Sequence, residues 1–370
     1  MTERTASRAD LRVHFTDMPD RTTASLGDEG TTTVLWSRRA IAGIVLAVVV
    51  FSALALFGDV RAIGTAFRDF RWWLAPPIIA LTLWNYCWRF VKWELYLRRL
   101  DVPRLPLRTS ALIFLSAFSM SITPGKVGEL VKSVYLKRFT GAPVNRTSAI
   151  IVAERATDAL AMLVLAIIGL TQFSYARPFV GALAIVVVAG LALLQRPEAL
   201  ARVVTRLEAR RVVGRVVDHA LAFIEASGTL FRPAIVAQAT LIGIISWMGE
   251  CVAFYFVLTG LGLTGSWHLL MVATFTLAVS SLAGGASLLP GGLGVADASV
   301  AGMLLLLVHD DEMNRTIAAA ATLLIRFATL WFAVLLGVVA VALLERRQPQ
   351  GRTPIDGRRE VRPTIDGGSL

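Results

Sequence analysis

The sequence predicts an all-α, polytopic membrane protein with an inverted-topology repeat, two re-entrant helical hairpins and about six full crossings. Three observations lead to this prediction. The chain has 370 residues, of which 55% are hydrophobic and only 17% charged, whereas soluble domains carry about 25% charged residues. Several apolar runs approach or exceed the roughly 20 residues that an α-helix needs to cross a bilayer. Two sets of motifs also occur twice in the same order, which indicates an internal repeat.

The apolar runs define a transmembrane domain flanked by polar tails. The longest runs are residues 40–57, 148–170, 235–258 and 317–344, which are too long and too many for the core helices of a soluble protein. Residues 1–37 lack the short apolar region and cleavage site of a signal peptide. We expect residues 1–37 and 348–370 to be disordered cytoplasmic tails and residues 38–347 to form the transmembrane domain.

Lysine and arginine in short loops set the predicted orientation, because cytoplasmic loops are enriched in these residues. Starting from a cytoplasmic N-terminus, the successive crossings lie at residues 40–57, about 72–91, 148–170, about 179–194, 235–258 and 317–344. The second crossing is followed by basic residues beginning at Lys92, which are predicted to lie on the cytoplasmic side. Both termini are then cytoplasmic, and the predicted location is the cell (inner or plasma) membrane with multiple passes.

Two further apolar runs are each broken by a Pro-Gly motif. Residues 110–123 end at Pro124 and become basic shortly afterwards, which leaves too few residues to cross and return. This predicts a hairpin opened from the cytoplasm. Residues 269–308 are broken at Pro290 and followed by the acidic residues 309–312, which predicts a hairpin opened from the outside.

The two broken runs belong to the predicted repeats, at about residues 72–170 and 235–344. The first repeat contains Pro-Gly-x-x-Gly, Asn-Arg-Thr and Glu-Arg-Ala-Thr-Asp, and the second contains Pro-Gly-Gly-x-Gly, Asn-Arg-Thr and Ile-Arg-Phe-Ala-Thr. Their predicted topologies are opposite, as in transporters whose broken helices line a polar cavity near the midplane. Residues 197–232 connect the repeats and are either a basic amphipathic helix on the inner leaflet or a solvated connector.

The broken positions suit a site where backbone approaches a ligand. Proline removes a hydrogen-bond donor, and glycine permits tight turns and close approach of the backbone. The predicted break residues are Pro124, Gly125, Gly128, Pro290, Gly291, Gly292 and Gly294. A plain structural kink would explain one copy, whereas two copies in inverted positions favour a site.

Ionisable side chains within apolar helices are costly, so they usually face the bundle interior, pair with each other and mark a pathway. The candidate substrate-binding residues are Lys126, Glu129, Lys132, Arg155, Asp297 and Arg326. Candidates for ion pairing or coupling are Arg89, Glu154, Asp158 and Glu250. The cations suit a phosphate group, to which they would donate charge-assisted hydrogen bonds. Alternatively, Glu154, Arg155 and Asp158 only neutralise one another and stabilise helix packing.

Signatures of soluble enzymes and of nucleic-acid binding are weak. We find no phosphate-binding loop, no zinc motif and no nucleophile elbow, so no cofactor or metal is predicted. The net charge of +11 comes from lysine and arginine in loops and tails, which the positive-inside rule explains without a nucleic acid. Both cysteines fall in apolar segments and are interpreted as small hydrophobic residues.

The motifs together resemble a known family. Pro124-Gly125-x-x-Gly128-Glu129, Glu154-Arg155-x-x-Asp158, Pro290-Gly291-Gly292-x-Gly294 and Arg326 are similar to the lysylphosphatidylglycerol synthase transmembrane, or flippase-like, family of integral membrane proteins. The similarity covers about residues 38–347. In members that make aminoacylated phosphatidylglycerol, this region is joined to a soluble transferase domain that we do not find here. The resemblance therefore implies lipid translocation rather than aminoacyl transfer.

The resulting hypothesis is a transporter or flippase that moves a polar, phosphate-bearing lipid headgroup between leaflets. The alternatives are a membrane-embedded transferase acting on a lipid-linked substrate, with Glu129 or Asp297 as base, and a noncatalytic scaffold that recruits partners through residues 197–232. The expected partners are membrane phospholipids or a lipid-linked substrate, with a homo-oligomer or a separate synthase as further possibilities.

Overall fold

The computed structural model describes residues 59–123, 128–170, 177–195 and 223–346. Within these ranges every regular element is a helix, in agreement with the predicted all-α class. Several predicted features lie outside the described residues: both tails, the crossing at residues 40–57, most of the basic connector, and Pro124, Gly125 and Lys126 in the first break.

The helices are numbered here in chain order within the described ranges. They are α1 (Val60–Asp69), α2 (Ala75–Arg99), α3 (Leu107–Ser116), α4 (Val131–Thr140), α5 (Val144–Leu170), α6 (Arg177–Leu194), α7 (Pro233–Gly260), α8 (Trp267–Ala286), α9 (Val295–Leu307), α10 (Arg315–Arg326) and α11 (Phe332–Arg346). Short 3₁₀ turns lie at Trp72–Leu74, Ala117–Met120 and Pro290–Gly292, and a π-helical turn at Phe327–Trp331 joins α10 to α11. Residues 223–230 are also helical.

Four stretches in the described residues are long and apolar enough to cross a membrane: Pro233–Gly260, Trp267–Ala286, Pro290–Leu307 and Arg315–Arg346. Helices α2 and α5 have 25 and 27 residues, which also suffices for the thickness of a bilayer at 1.5 Å per residue. Both carry several charged residues, so length rather than apolar composition makes them candidates for crossings.

Helices α2 and α7 form a close pair at the centre of the described fold. The indole Nε1–H of Trp84 donates to the backbone carbonyl of Ile245 at 3.1 Å, and the hydroxyl of Ser246 donates to the carbonyl of Asn85 at 3.0 Å. Gly249 leaves room for the Trp84 ring, since a Cβ there would lie 2.7 Å from it. Side-chain hydrogen bonds and close small-residue packing are common between membrane helices, because lipid offers no hydrophobic drive for association.

The two regions in which the sequence predicts re-entrant hairpins are called hairpin 1 (residues 107–140) and hairpin 2 (residues 267–307). The described part of hairpin 1 contains α3, its 3₁₀ extension and α4. Helix α3 and the extension together run only from Leu107 to Met120, which is shorter than the membrane thickness. On the far side of the break, the Gly128 N–H donates to Thr123 Oγ1 at 2.8 Å, and a Cβ at Gly128 would lie 2.3 Å from the Met120 side chain. Gly128 therefore lies directly against Met120 and Thr123 at the end of the preceding 3₁₀ turn.

Hairpin 2 contains α8, the 3₁₀ turn and α9. Gly291, Gly292 and Gly294 have φ angles of 60°, 67° and 84°, a left-handed conformation that glycine adopts without the strain of a Cβ. Gly292 also lies against the backbone of Gly284 in α8, where a Cβ would be 3.1 Å from the Gly284 Cα. These positions explain why the break is rich in glycine.

Each hairpin packs on the closing helix of the other half of the molecule. Hairpin 1 contacts α11, and hairpin 2 contacts α5. Gly337 of α11 lies against the backbone of Ser119, and Gly169 of α5 lies against Phe275 of α8. Residues that flank the two breaks meet in a small apolar cluster that contains Ile122 and Leu293.

Candidate functional site

A cavity of about 170 Å³ lies beside the two breaks. Residues from α2, hairpin 1 and α5 line one part of its wall, and residues from α7, hairpin 2, α10 and α11 line the rest. Gly291 and Gly292 contribute to the wall at the break in hairpin 2. The cavity is therefore formed by both predicted repeats.

Five charged side chains line the cavity: Arg89, Glu129, Arg155, Glu250 and Arg326. All five were predicted from the sequence as residues at membrane depth. Hydroxyl groups of Ser121, Ser280 and Thr329 lie in the same wall. Helices of a membrane protein hold such groups only at a large desolvation cost, which is reduced when the groups pair or face a polar cavity.

Arg155 lies on α5 between two acidic side chains. Its Nη2 atom is 3.5 Å from Glu129 Oε2 at the end of the first break and 3.6 Å from Asp158 Oδ2 one turn along α5. Both distances exceed the 2.7–2.9 Å of a strong charge-assisted hydrogen bond. The Nε and Nη2 atoms are buried and form no hydrogen bond with a described residue. Arg155 is therefore held electrostatically while two of its donors keep hydrogen-bonding capacity.

Arg326, which aligns with Arg155 in the predicted repeat, is bound much more tightly to its carboxylate partner. Its Nε donates to Asp297 Oδ1 at 2.5 Å, and the other oxygen of Asp297 accepts the Gly294 N–H at 2.9 Å. Asp297 thus caps the start of α9 and orients Arg326 at once. Glu129 follows Gly128 directly, whereas Asp297 lies three residues after Gly294. Despite this different spacing, Glu129 pairs with Arg155 and Asp297 pairs with Arg326.

Arg89 approaches the cavity from α2 and is held by aromatic rings. Its guanidinium lies 5.4 Å from the ring centre of Phe118 and 5.8 Å from that of Trp247, within the range of cation–π attraction. One turn earlier, the Tyr86 hydroxyl donates to the Thr329 carbonyl at 2.7 Å. Thr329 lies in the π-helical turn, and such turns are frequent at functional sites because they disturb regular helix bonding.

Two buried ion pairs lie behind the cavity wall. Lys132 of α4 pairs with Glu154 of α5, and Lys92 of α2 pairs with Asp158 of α5. All four side chains are at most 8% exposed. Lys132 also lies 4.9 Å from the ring centre of Trp93. These pairs connect α5 to α2 and α4, and they reduce the free-energy cost of burying the four charges.

Lys92 is a site residue that the sequence analysis missed. The apolar run ends at Val91, so Lys92 was predicted to begin the cytoplasmic loop, whereas α2 continues to Arg99 and Lys92 is 1% exposed. Its spacing of three residues from Arg89 places both on neighbouring positions of one helix face. The spacing from Arg89 is the sequence signal that could have identified Lys92 as a site residue. Asp158 supplies its buried counter-ion.

The site residues that the sequence predicted fall into four groups. Arg89, Glu129, Arg155, Glu250, Arg326, Gly291 and Gly292 line the cavity, whereas Lys132, Glu154, Asp158 and Asp297 lie behind it as partners. Gly128, Pro290 and Gly294 shape the turns. Lys126, Pro124 and Gly125 lie outside the described residues. Over the described ranges, no group of three or more histidine, cysteine, aspartate or glutamate side chains could hold a metal ion.

The helical fold, its candidate crossings and the charged cavity define a polytopic membrane protein with ionisable groups inside its helix bundle. The model of the family described as lysylphosphatidylglycerol synthase TM region matches residues 41–337. The chain therefore belongs to this family of membrane proteins, as its motifs predicted. No curated protein matches the chain.

Proposed function

We propose that the protein is a lipid transporter that moves a polar, phosphate-bearing headgroup between leaflets through the cavity between its two repeats. The observation that carries this proposal is a cavity lined by Arg89, Arg155 and Arg326 where two broken helical hairpins meet. A phosphate is attracted to arginines through charge-assisted hydrogen bonds. Family membership supports a role connected with membrane lipids.

An inverted arrangement of the hairpins accounts for contacts at the two ends of the bundle. The Thr264 N–H donates to Asp310 at 3.1 Å, which joins the loop before α8 to the loop after α9. The Tyr135 hydroxyl of α4 donates to Glu345 at the end of α11 at 2.7 Å. These contacts support an arrangement in which hairpin 2 opens near the start of α10 and hairpin 1 opens near the end of α11. The 32-residue stretch that contains α10 and α11 is long enough to separate these two ends by the thickness of a bilayer.

Arg155 is the best candidate for direct contact with the headgroup. Its two bonds to carboxylates are long, and its buried Nε and Nη2 groups can donate to an incoming phosphate oxygen. Arg326 donates to Asp297 through Nε, which stabilises hairpin 2. Its contribution to headgroup binding would come from the Nη1 and Nη2 atoms. Glu129 and Glu250 would keep the cavity from binding an anion too tightly to release it, or contact a cationic part of the headgroup.

The contacts of Asp297 favour transport over the alternative of a transferase. A general base must reach the proton that it removes, whereas Asp297 accepts hydrogen bonds from Gly294 and Arg326 and does not line the cavity. Glu129 remains the other candidate base, at 3.5 Å from Arg155. The scaffold alternative depends on the basic connector, most of which lies outside the described residues.

A lipid-translocation assay tests the proposal. Purified protein is reconstituted into vesicles that carry a fluorescent phosphatidylglycerol analogue, and loss of fluorescence to an impermeant quencher reports arrival in the outer leaflet. Arg155→Gln should slow translocation at least about tenfold, because a hydrogen bond to a charged group contributes about 1.5–3 kcal/mol. Arg155→Lys should lose less, since it keeps the charge but not the planar donors.

The matched control is Arg138→Gln, which removes an arginine whose side chain is 54% exposed and whose nearest carboxylate is 3.6 Å away. This control should translocate lipid like the wild type. Equal rates for protein-free vesicles and wild-type vesicles would reject lipid transport. Equal rates for wild type and folded Arg155→Gln would reject the assignment of the cavity as the pathway.

A further inference from the structure

A second, larger recess lies on the surface between α2 and α7, away from the charged cavity. Its volume is about 490 Å³, and it shares no lining residue with the cavity. Its wall is mainly apolar and includes Phe90, Val91 and Leu95 of α2 and Leu241 and Ile242 of α7. We call this recess the α2–α7 groove.

The apolar wall of the groove is exposed at the surface of a membrane helix pair. Val91 is 46% exposed, Leu241 is 59% exposed, and Leu107 at the start of α3 is 64% exposed. Exposed apolar patches of this kind mark surfaces that contact a membrane or a partner. An apolar wall on a pair of membrane helices suits a hydrocarbon chain.

One end of the groove is basic. Arg98 of α2 is part of its wall and is exposed. Further exposed arginines lie where α2 ends, α3 begins and α7 begins: Arg99, Arg104, Arg108 and Arg232. Glu94 also lines the groove, and its carboxylate accepts a hydrogen bond from Ser110. Arg98 in the wall and four arginines on the adjoining helix ends and loop leave an excess of positive charge, which matches a phospholipid phosphate at the end of its acyl chains.

We propose that the α2–α7 groove binds one anionic phospholipid, with an acyl chain against the apolar wall and the phosphate at Arg98 and its neighbouring arginines. Basic pockets between membrane helices bind anionic headgroups in this way. The proposal does not depend on transport through the charged cavity, because the two sites use different faces of α2. Arg89 and Tyr86 face the cavity, whereas Phe90 and Val91 face the groove.

Native mass spectrometry of detergent-purified protein tests the site. The protein is incubated with equal amounts of phosphatidylglycerol or phosphatidylcholine of the same acyl chains, and the retained lipid is counted. The wild type should retain one phosphatidylglycerol in preference to phosphatidylcholine. Arg98→Gln should reduce that preference about fivefold, since each arginine near a membrane surface contributes about that factor to anionic-lipid binding. Leu241→Trp should fill the groove and reduce retention of both lipids.

Two controls match these substitutions at other exposed positions. Arg346→Gln removes an exposed arginine at the end of α11, and Leu306→Trp enlarges a 73% exposed leucine on α9. Both should retain phosphatidylglycerol like the wild type. Equal retention of the two lipids by the wild type would mean non-specific annular lipid only and would overturn the proposal. An unchanged preference for phosphatidylglycerol in Arg98→Gln would also overturn the proposal. Because Arg98 is exposed, this substitution should leave the packing of the interior unchanged.

Discussion

Replacing Gly337 by alanine tests the unusually close packing of α11 on hairpin 1. A Cβ at this position would lie 2.1 Å from the backbone nitrogen of Ser119 and 2.7 Å from the carbonyl carbon of Phe118. Both distances are well below the 3.5–4.0 Å at which non-bonded carbon atoms attract one another best. Because the neighbours are backbone atoms, no side-chain rotation can make room. The added methyl group must separate α11 from the hairpin.

The expected loss of stability follows from two opposing effects. Overpacking a tightly packed interior costs typically about 1–3 kcal/mol, and the backbone contact here places Gly337→Ala at the upper end. Alanine is favoured over glycine in a helix by about 1 kcal/mol. The net destabilisation should then be about 2 kcal/mol, or several degrees in the midpoint of thermal unfolding. Tryptophan fluorescence of the purified protein in detergent would follow the transition, since the chain contains nine tryptophans.

Gly302→Ala provides the matched control within α9. A Cβ at Gly302 would meet no atom within 4 Å, so this variant should gain about 0.4–1 kcal/mol from the reduced freedom of the unfolded chain. If Gly337→Ala melted at the same temperature as Gly302→Ala or above it, the close contact between α11 and hairpin 1 would be wrong. Slower lipid translocation in Gly337→Ala would further link this contact to the proposed pathway.

Two other substitutions probe the interior and the loops. Lys92→Met should destabilise the protein by about 3–5 kcal/mol, because it leaves the carboxylate of Asp158 buried without its closest cation; the double variant with Asp158→Leu should melt closer to the wild type. The pKa of Asp310 is lowered by hydrogen bonds from the Glu312 and Thr264 N–H groups. A lowered pKa in the folded state stabilises the protein above the ordinary carboxyl pKa, and this stabilisation is lost as the pH falls through the folded value. Asp310→Asn should therefore reduce the difference in melting temperature between neutral and acidic pH.

The local sequence predicted the class of the protein, its family and the charged residues of the cavity. Apolar runs reveal membrane helices because every backbone group in lipid must be satisfied within the helix. Charged residues inside such runs are conspicuous because they are rare and costly. For this reason Arg89, Glu129, Arg155, Glu250 and Arg326 could all be named before any contact was known.

Lys92 could not be recognised by the same rule, because it lies at the edge of an apolar run. A lysine at the end of an apolar run normally lies in the lipid headgroup region. Only its burial against Asp158 distinguishes it. Similarly, the sequence offered Arg155 as the local partner of Asp158 at a spacing of three residues. The tertiary structure adds Lys92 as the closer partner and leaves Arg155 shared between two acids.

The sequence by itself determined that this is a helical membrane protein of its family, with two glycine-rich motifs that interrupt apolar runs and with ionisable residues inside such runs. It did so because hydropathy and helix-breaking residues act locally, over one or two turns of chain. Only the tertiary structure decided which charges pair, that Asp297 binds Arg326 tightly while Arg155 keeps two unfilled donors, and that these groups share one cavity. Pairing depends on distances between helices far apart in sequence, which no local pattern encodes.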